Sequence, residues 1–321
     1  MAGGLAIVLS GGGAKGAFQV GVLQALIGRR KVNFETAVGT STGSIQAAAV
    51  AQDDIPSLVK FWTGLEGPDD IYKNRGGTLL SIIAGQPSLY TTDPLRKLLK
   101  TAIDEQKIRA SGKKLRIRIV NITTGKAVTV AENANNLADW VYASCAMPFV
   151  FPPLASKSAA GVEEQWVDGG VRDVTPLDEA MVERPRAILV VRASATPKPD
   201  QPKKYKSLVS IGLRAVDIQH TEVSENDLKN VNLINNLLTA RDRQLIALRQ
   251  LNLSPSEIEG VMRPLQAEVD RFRLVPVKVI APDQDLYDTL EFDPKKIKDA
   301  IALGDAFVEN NWPELQQFLG V

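Results

Sequence analysis

Leu5-Ala6-Ile7-Val8-Leu9-Ser10-Gly11-Gly12-Gly13-Ala14-Lys15-Gly16 decides the fold class of this chain. Five consecutive apolar residues that run into glycines read as a short strand buried on both faces. The glycines turn the chain. Residues 17–27 are then long enough for a helix, with Arg29, Arg30 and Lys31 placed where cations favour a helix C-terminus. Residues 34–38 repeat the strand signal and Gly39-Thr40-Ser41-Thr42-Gly43 repeats the turn. Ser44-Ile45-Gln46-Ala47-Ala48-Ala49-Val50-Ala51 follows as a helix of small residues suited to close packing. Strand, turn and helix alternating in this way predict an α/β fold with a mostly parallel central sheet flanked by helices.

Working outward, residues 115–119 alternate apolar side chains with arginine, and Thr123-Thr124-Gly125-Lys126 leads into Ala127-Val128-Thr129-Val130, which together predict a hairpin. Residues 137–144 read as a helix ending before Pro148, and Trp166-Val167 and residues 187–191 as strands. Thr196-Pro197-Lys198-Pro199-Asp200-Gln201-Pro202 is the best break in the chain. Beyond it Leu228, Val231, Ile234, Leu238, Leu245 and Leu248 recur on one face of an amphipathic helix. A strand over residues 275–280 and a helix over 295–310 close the chain, and that late strand predicts a return to the first sheet. The expectation is one domain over residues 1–321, with a catalytic core at about 1–195, a helical elaboration at about 205–270 and a final strand and helix at about 274–312.

Composition narrows the function classes. The chain has 321 residues, 44% hydrophobic and 23% charged, with 24 Gly and 18 Pro, which is ordinary for a globular protein. Lys and Arg total 38 against 37 Asp and Glu, so no overall field gathers nucleic acid, and no nucleic-acid partner is expected. The pairs Lys113-Lys114 and Lys203-Lys204 read as solvated surface, with contact to anionic lipid as the alternative. Cys145 is the one cysteine, which rules out an internal disulfide and reads as a small buried hydrophobe. His220 is the one histidine, so sites built on two histidines are excluded, and no metal or other cofactor is expected. No signal-peptide pattern and no run of about 20 apolar residues is present, so the expectation is a soluble cytoplasmic protein, with export by a route lacking a cleaved signal left open.

Three glycine motifs carry the chemistry. The amides of the consecutive glycines Gly11, Gly12 and Gly13, ahead of a helix N-terminus, can converge on a phosphate or on the oxyanion of an acyl-transfer intermediate. Gly11, Gly13 and Gly16 also satisfy G-x-G-x-x-G, and Glu35 stands about where the acidic partner of a ribose would be, so a nucleotide-binding protein is one reading. Gly39-Thr40-Ser41-Thr42-Gly43 is a G-x-S-x-G between strand and helix. That is the setting of a nucleophile elbow, with the Thr42 amide as a further oxyanion donor. The bland alternative is that Ser41 caps the helix. Val167-Asp168-Gly169-Gly170 is either a turn or the source of a carboxylate.

A serine nucleophile needs a base. The order Ser41, Asp168, His220 matches a hydrolase triad, yet Ser41 arrives after only two strands. His220 lies in the helix-like polar stretch Val216-Asp217-Ile218-Gln219-His220-Thr221-Glu222, which suits a solvated surface role. The alternative is a two-residue site in which Asp168 contacts Ser41 directly.

These residues carry a resemblance. The opening strand and glycine loop, the G-x-S-x-G and the Asp-Gly-Gly, in this order and on these elements, resemble the patatin-like phospholipases of bacterial type. So do Leu89-Tyr90-Thr91-Thr92-Asp93-Pro94-Leu95, Ala143-Ser144-Cys145-Ala146-Met147-Pro148-Phe149-Val150-Phe151-Pro152-Pro153 and Thr175-Pro176-Leu177. The likeness is weakest between about residues 196 and 272. It implies a three-layer α/β fold and a serine lipid acyl hydrolase acting on phospholipid or lysophospholipid, with peripheral membrane contact. It also implies Ser41 as nucleophile, Asp168 as base, and the amides of Gly11, Gly12 and Gly13 with Ala14 as oxyanion hole, supported by Lys15, Gly16, Gly39, Thr42, Gly43, Gly169 and Gly170. Two residues depart from the pattern: Ser10 replaces an aspartate, and Lys15 replaces an arginine in a position that suggests facing an anionic head group. A catalytically idle scaffold of the same family, acting through partners, would carry the same motifs. Met147, Phe149, Val150, Phe151 and Leu154 fit either an acyl channel or plain core.

Overall fold

Leu5 to Leu9 are at most 3% exposed, as a strand covered on both faces requires. They belong to β1 (Gly3–Leu9), the centre of the sheet in the computed structural model, which describes residues 3–75, 85–158, 160–195, 204, 208–270 and 272–321. Residues 196–202, read as the best break in the chain, lie outside the described residues, as does Lys203.

From β1 a tight turn over Gly13–Gly16 enters α1 (Ala17–Leu23), which ends through a π-helical turn, Gln24–Arg29. β2 (Thr36–Thr40) and α2 (Thr42–Ala51) follow, separated by Ser41 alone. Next come α3 (Ile55–Thr63), the short pair β3 (Lys73–Asn74) and β4 (Tyr90–Thr91), α4 (Asp93–Ala102) and α5 (Glu105–Ala110). The predicted hairpin is β5 (Lys114–Asn121) with β6 (Lys126–Ala131), and α6 (Leu137–Cys145) leads to β7 (Leu154–Lys157) and β8 (Glu163–Asp168). The chain continues through α7 (Leu177–Val182), β9 (Pro185–Val191), α8 (Leu208–Gln250), α9 (Pro255–Val269), β10 (Val277–Ile280), α10 (Pro294–Asn310) and α11 (Trp312–Leu319).

β10, β9, β1, β2 and β5 lie side by side and parallel, and β6, β8 and β7 extend the sheet antiparallel. The alternation of strand side chains splits the core into two layers. Leu5, Ile7 and Leu9 pack with Phe18, Ile45, Trp62 and Ile301 of α1, α2, α3 and α10. Ala6 and Val8 pack with Leu177 of α7 and Val231 of α8. Helices therefore cover both faces, the three-layer arrangement expected.

α8 runs unbroken through the predicted amphipathic stretch, with Val231 and Leu238 buried at the expected period. It is tied to the core by the Arg192–Glu225 ion pair at 2.5 Å and a Thr175–Ser224 hydroxyl contact at 2.7 Å. α3 and α4 go beyond the sequence expectations. Each carries a proline in its first turn, where the missing N–H has no intrahelical acceptor to lose. Lys113 and Lys114 are not the free solvated pair expected: Lys113 is buried against Asp53, and Lys114 pairs with Glu183 at 2.6 Å.

Candidate active site

β5 brings the two motif residues together. β6 occupies one edge of β5 along Arg116 to Asn121, so β2 and β8 must share the other. β2 pairs with Lys114 to Arg118, and β8 with Ile119 to Asn121. The two strands thus arrive head to head in one lane, Thr40 opposite Arg118 and Asp168 opposite Ile119. Ser41 is the next residue after Thr40, so the serine and the aspartate leave the sheet at the same junction from opposite directions.

Ser41 has φ 54° and ψ −130°, a conformation that non-glycine residues adopt only under constraint, at a cost on the order of 1–3 kcal/mol. The turn it makes is pressed against β1. A Cβ on Gly43 would lie 2.1 Å from the Leu9 carbonyl oxygen, and one on Gly39 would lie 2.2 Å from the Gly43 carbonyl oxygen. Gly43→Ala is expected to lower stability by about 1–3 kcal/mol through overpacking, or to prevent folding, as read from thermal unfolding. Ser41 occupies the N-cap position of α2, yet its side chain makes no capping hydrogen bond. Its hydroxyl therefore has no role in holding the helix, which removes the bland reading. The carbonyl of Ser41 accepts from the Ser44 amide at 2.8 Å and from its hydroxyl at 2.6 Å.

Asp168 is 1% exposed. Its amide donates to the Ala146 carbonyl at 3.0 Å, and its Oδ1 accepts the Gly170 amide at 2.8 Å. Oδ2 is buried without a formed hydrogen bond. Burial pushes the carboxyl up to about 7, while the Ser41 hydroxyl and the Gly170 amide pull it down. The Ser41 hydroxyl is thus among the groups that favour the carboxylate, although no standard hydrogen bond joins the two.

The glycine loop offers fewer donors than its sequence suggests. The Gly11 amide donates to the Val174 carbonyl at 3.1 Å, and the Ala14 amide to the Thr289 carbonyl at 2.8 Å. Among the described residues the amides of Gly12, Gly13 and Thr42 have no partner. Of the four amides expected to converge, those of Gly11 and Ala14 are therefore spent on main-chain carbonyls, and those of Gly12 and Gly13 stay open beside the first amide of α2. Gly13 needs its φ of 57° to fit here, and a Cβ on it would lie 2.2 Å from the Thr289 carbonyl oxygen. Ser10 stitches the loop to the end of β9: its hydroxyl donates to the Gly11 carbonyl at 3.1 Å and accepts the Ala193 amide at 3.0 Å. Lys15 does not face outward toward a head group; it is 5% exposed and pairs with Asp285 at 3.7 Å. Gly16 is buried against α2, and Gly169 packs against the Arg118 carbonyl.

Glu35 lies at the wrong end of the sheet for a ribose. It precedes β2, and its carboxylate accepts the Gly4 amide at 3.1 Å, near the start of β1. The glycine loop follows the other end of β1, seven residues on and roughly 20 Å away. The spacing of the dinucleotide fingerprint is met, but the strand direction separates its parts.

An apolar crevice of about 480 Å³, open mouth included, begins at Gly13, Ser41 and Thr42. It continues between Ile45, Phe61, Trp62, Leu65, Ile71 and Leu95, with Thr289 and Leu290 among its remaining walls. Its walls are mostly apolar side chains, so it favours an apolar ligand group. Met147 and Phe151 line it, Val150 and Leu154 are core, and Phe149 is exposed beside Gly212 of α8. Cys145 also lines the crevice, and burial pushes its thiol far above the ordinary range, which suppresses the thiolate. His220 falls within α8, but its side chain is outside those described. Among the described residues no group of three or more His, Cys, Asp or Glu could hold a metal ion, and no helix is long and apolar enough to cross a membrane.

No relative among curated proteins matches the sequence. Among solved structures, VipD from Legionella pneumophila is similar at 14% identity with a TM-score of 0.41, over 97% of this chain and 67% of that one. A family model described as patatin-like phospholipase matches residues 7–181, more than half of the chain and all three glycine motifs. With the sheet, the elbow and that match in hand, the chain belongs to the patatin-like phospholipase family, and with it to the lipid acyl hydrolases.

Proposed function

We propose that this protein hydrolyses carboxylic esters of phospholipids or lysophospholipids through an acyl-Ser41 intermediate, with Asp168 as general base. One observation carries the reading: a serine hydroxyl excused from helix capping stands beside a buried carboxyl at the head of an apolar crevice. The acyl chain enters the crevice with its ester carbonyl over Ser41. Ser41 Oγ attacks the carbonyl carbon as Asp168 takes the hydroxyl proton. The oxyanion then falls to the open amides of Gly12 and Gly13, with Thr42 beside them, and a donor of this kind is worth about 2.7–4 kcal/mol to the transition state. The tetrahedral intermediate expels the alcohol, which receives the proton from Asp168. Water then attacks the acyl-enzyme, gives its proton to Asp168 and releases the fatty acid as Ser41 regains its hydrogen.

The nucleotide-binding reading loses support from two spent loop amides and from the position of Glu35. Against an idle scaffold stands the unengaged Ser41 hydroxyl. The test is labelling of the intact protein with a fluorophosphonate and mass mapping of the adduct, beside turnover on a panel of phospholipids and lysophospholipids in detergent and in vesicles. The expected result is one adduct on Ser41 and release of fatty acid. An unlabelled protein with no turnover on any chain length would leave the scaffold reading standing, and His220→Ala is expected to hydrolyse at nearly the unaltered rate.

A further inference from the structure

We propose that Ser144 is a positioning residue for Ser41: its hydroxyl holds the Ser41 amide and so keeps the nucleophile turned toward Asp168. The inference rests on the roles given above to those two residues.

Ser144 lies in the last turn of α6 and is wholly buried. Its hydroxyl donates to the Arg118 carbonyl at 2.7 Å and accepts the Ser41 N–H at 2.9 Å. A hydroxyl has one hydrogen to give, and here it is committed to Arg118, which orients an oxygen lone pair at Ser41. Arg118 is the residue opposite Thr40 across β5, so this small relay spans the junction where β2 ends and β8 ends. Two residues after Ser144, the Ala146 carbonyl accepts the Asp168 N–H at 3.0 Å. One end of α6 therefore grips the main chain of both groups and sets them relative to each other.

The grip matters because Ser41 has left the sheet. Its amide has lost the ladder, its φ of 54° is strained, and its remaining main-chain bonds act on its carbonyl from within α2. Without the Ser144 oxygen a buried N–H is orphaned and the turn is free to relax. That relaxation swings Cβ and Oγ away from the Asp168 carboxyl.

The test is Ser144→Ala in the full chain, assayed for kcat and KM on a soluble ester across pH, with fluorophosphonate labelling rates measured in parallel. Expected are a kcat lower by about 10- to 100-fold, the scale of an ångström-sized misplacement, and a KM changed by less than about twofold. The acid limb of the profile moves to higher pH, because the carboxylate loses the hydroxyl that helps to stabilise it. Ser144→Thr, which keeps the hydroxyl, is expected to recover kcat and the original limb. Should Ser144→Ala fail to fold, Ser144→Cys, of similar shape with a weak acceptor, takes its place. A folded Ser144→Ala or Ser144→Cys with unaltered kcat and an unmoved acid limb overturns the proposal, as does a loss confined to the amount of folded protein. Ser41→Ala run beside it keeps the outcomes apart: if that variant still turns over ester, the reading of the site itself falls.

Discussion

Ser41→Ala is expected to lose ester hydrolysis by on the order of 10⁴–10⁶-fold and to lose fluorophosphonate labelling completely, while unfolding at nearly the same temperature as the unaltered protein. On the proposed mechanism, the loss follows from removing the oxygen that attacks. The intact stability follows from the local structure. Ser41 Oγ caps nothing, the strained turn is held through main-chain atoms, and alanine keeps the Cβ that the turn already accommodates. Binding should survive as well, because the crevice walls are untouched. A fluorescent fatty-acid analogue titrated into Ser41→Ala would show this. Residual turnover close to that of the unaltered enzyme would mean that another group attacks, and the assignment of the crevice as an acyl site would lose its centre.

Asp168→Asn is expected to lower kcat by on the order of 10³–10⁴-fold and yet to raise stability above neutral pH. The two effects share one cause. Burial pushes the Asp168 carboxyl up to about 7, so the base of the proposed mechanism becomes ionised only as pH rises through that value. The rate should climb across neutrality and level off above it. The stability sign runs opposite. Between the ordinary carboxylate range near 4 and about 7, the folded protein holds a proton that the unfolded chain has released, so stability falls as pH rises through this window and is constant above it. The full cost is on the order of 4 kcal/mol. Asparagine is neutral throughout and escapes it. Thermal unfolding should show Asp168→Asn several degrees above the unaltered protein at pH 8, with the advantage gone by about pH 4. Equal stability at pH 8 would mean that the carboxyl is better solvated than its surroundings imply.

Much of the architecture was legible because local pattern and tertiary role coincide. The five apolar residues before Gly11 could be satisfied only between two neighbouring strands and under helices on both faces. Val231 and Leu238 are both buried, as the spacing predicts, and Val231 is where α8 meets the sheet. Mismatches arose where a residue's partner comes from far along the chain. Lys113 looks like a solvated cation until Asp53 meets it, and Lys15 until Asp285 does. Gly11 and Ala14 carry amides as free as those of Gly12 and Gly13 by any local rule. The difference is made by carbonyls of Val174 and Thr289, more than 150 residues away in each case. Ser144 gives no local sign at all, since a serine in a helix ordinarily bonds its own turn.

Alternation of apolar runs with glycine turns determined the parallel sheet, and the glycine spacing determined that a serine would stand at a sharp strand-to-helix turn, because few other packings satisfy those side chains and that backbone. Which carboxyl would face that serine, which amides would stay open and which end of the sheet would receive Glu35 were left to the tertiary structure. Those depend on strand direction and register, and hydrogen-bond pairing between distant segments sets both, with little trace in the order of residues along either segment.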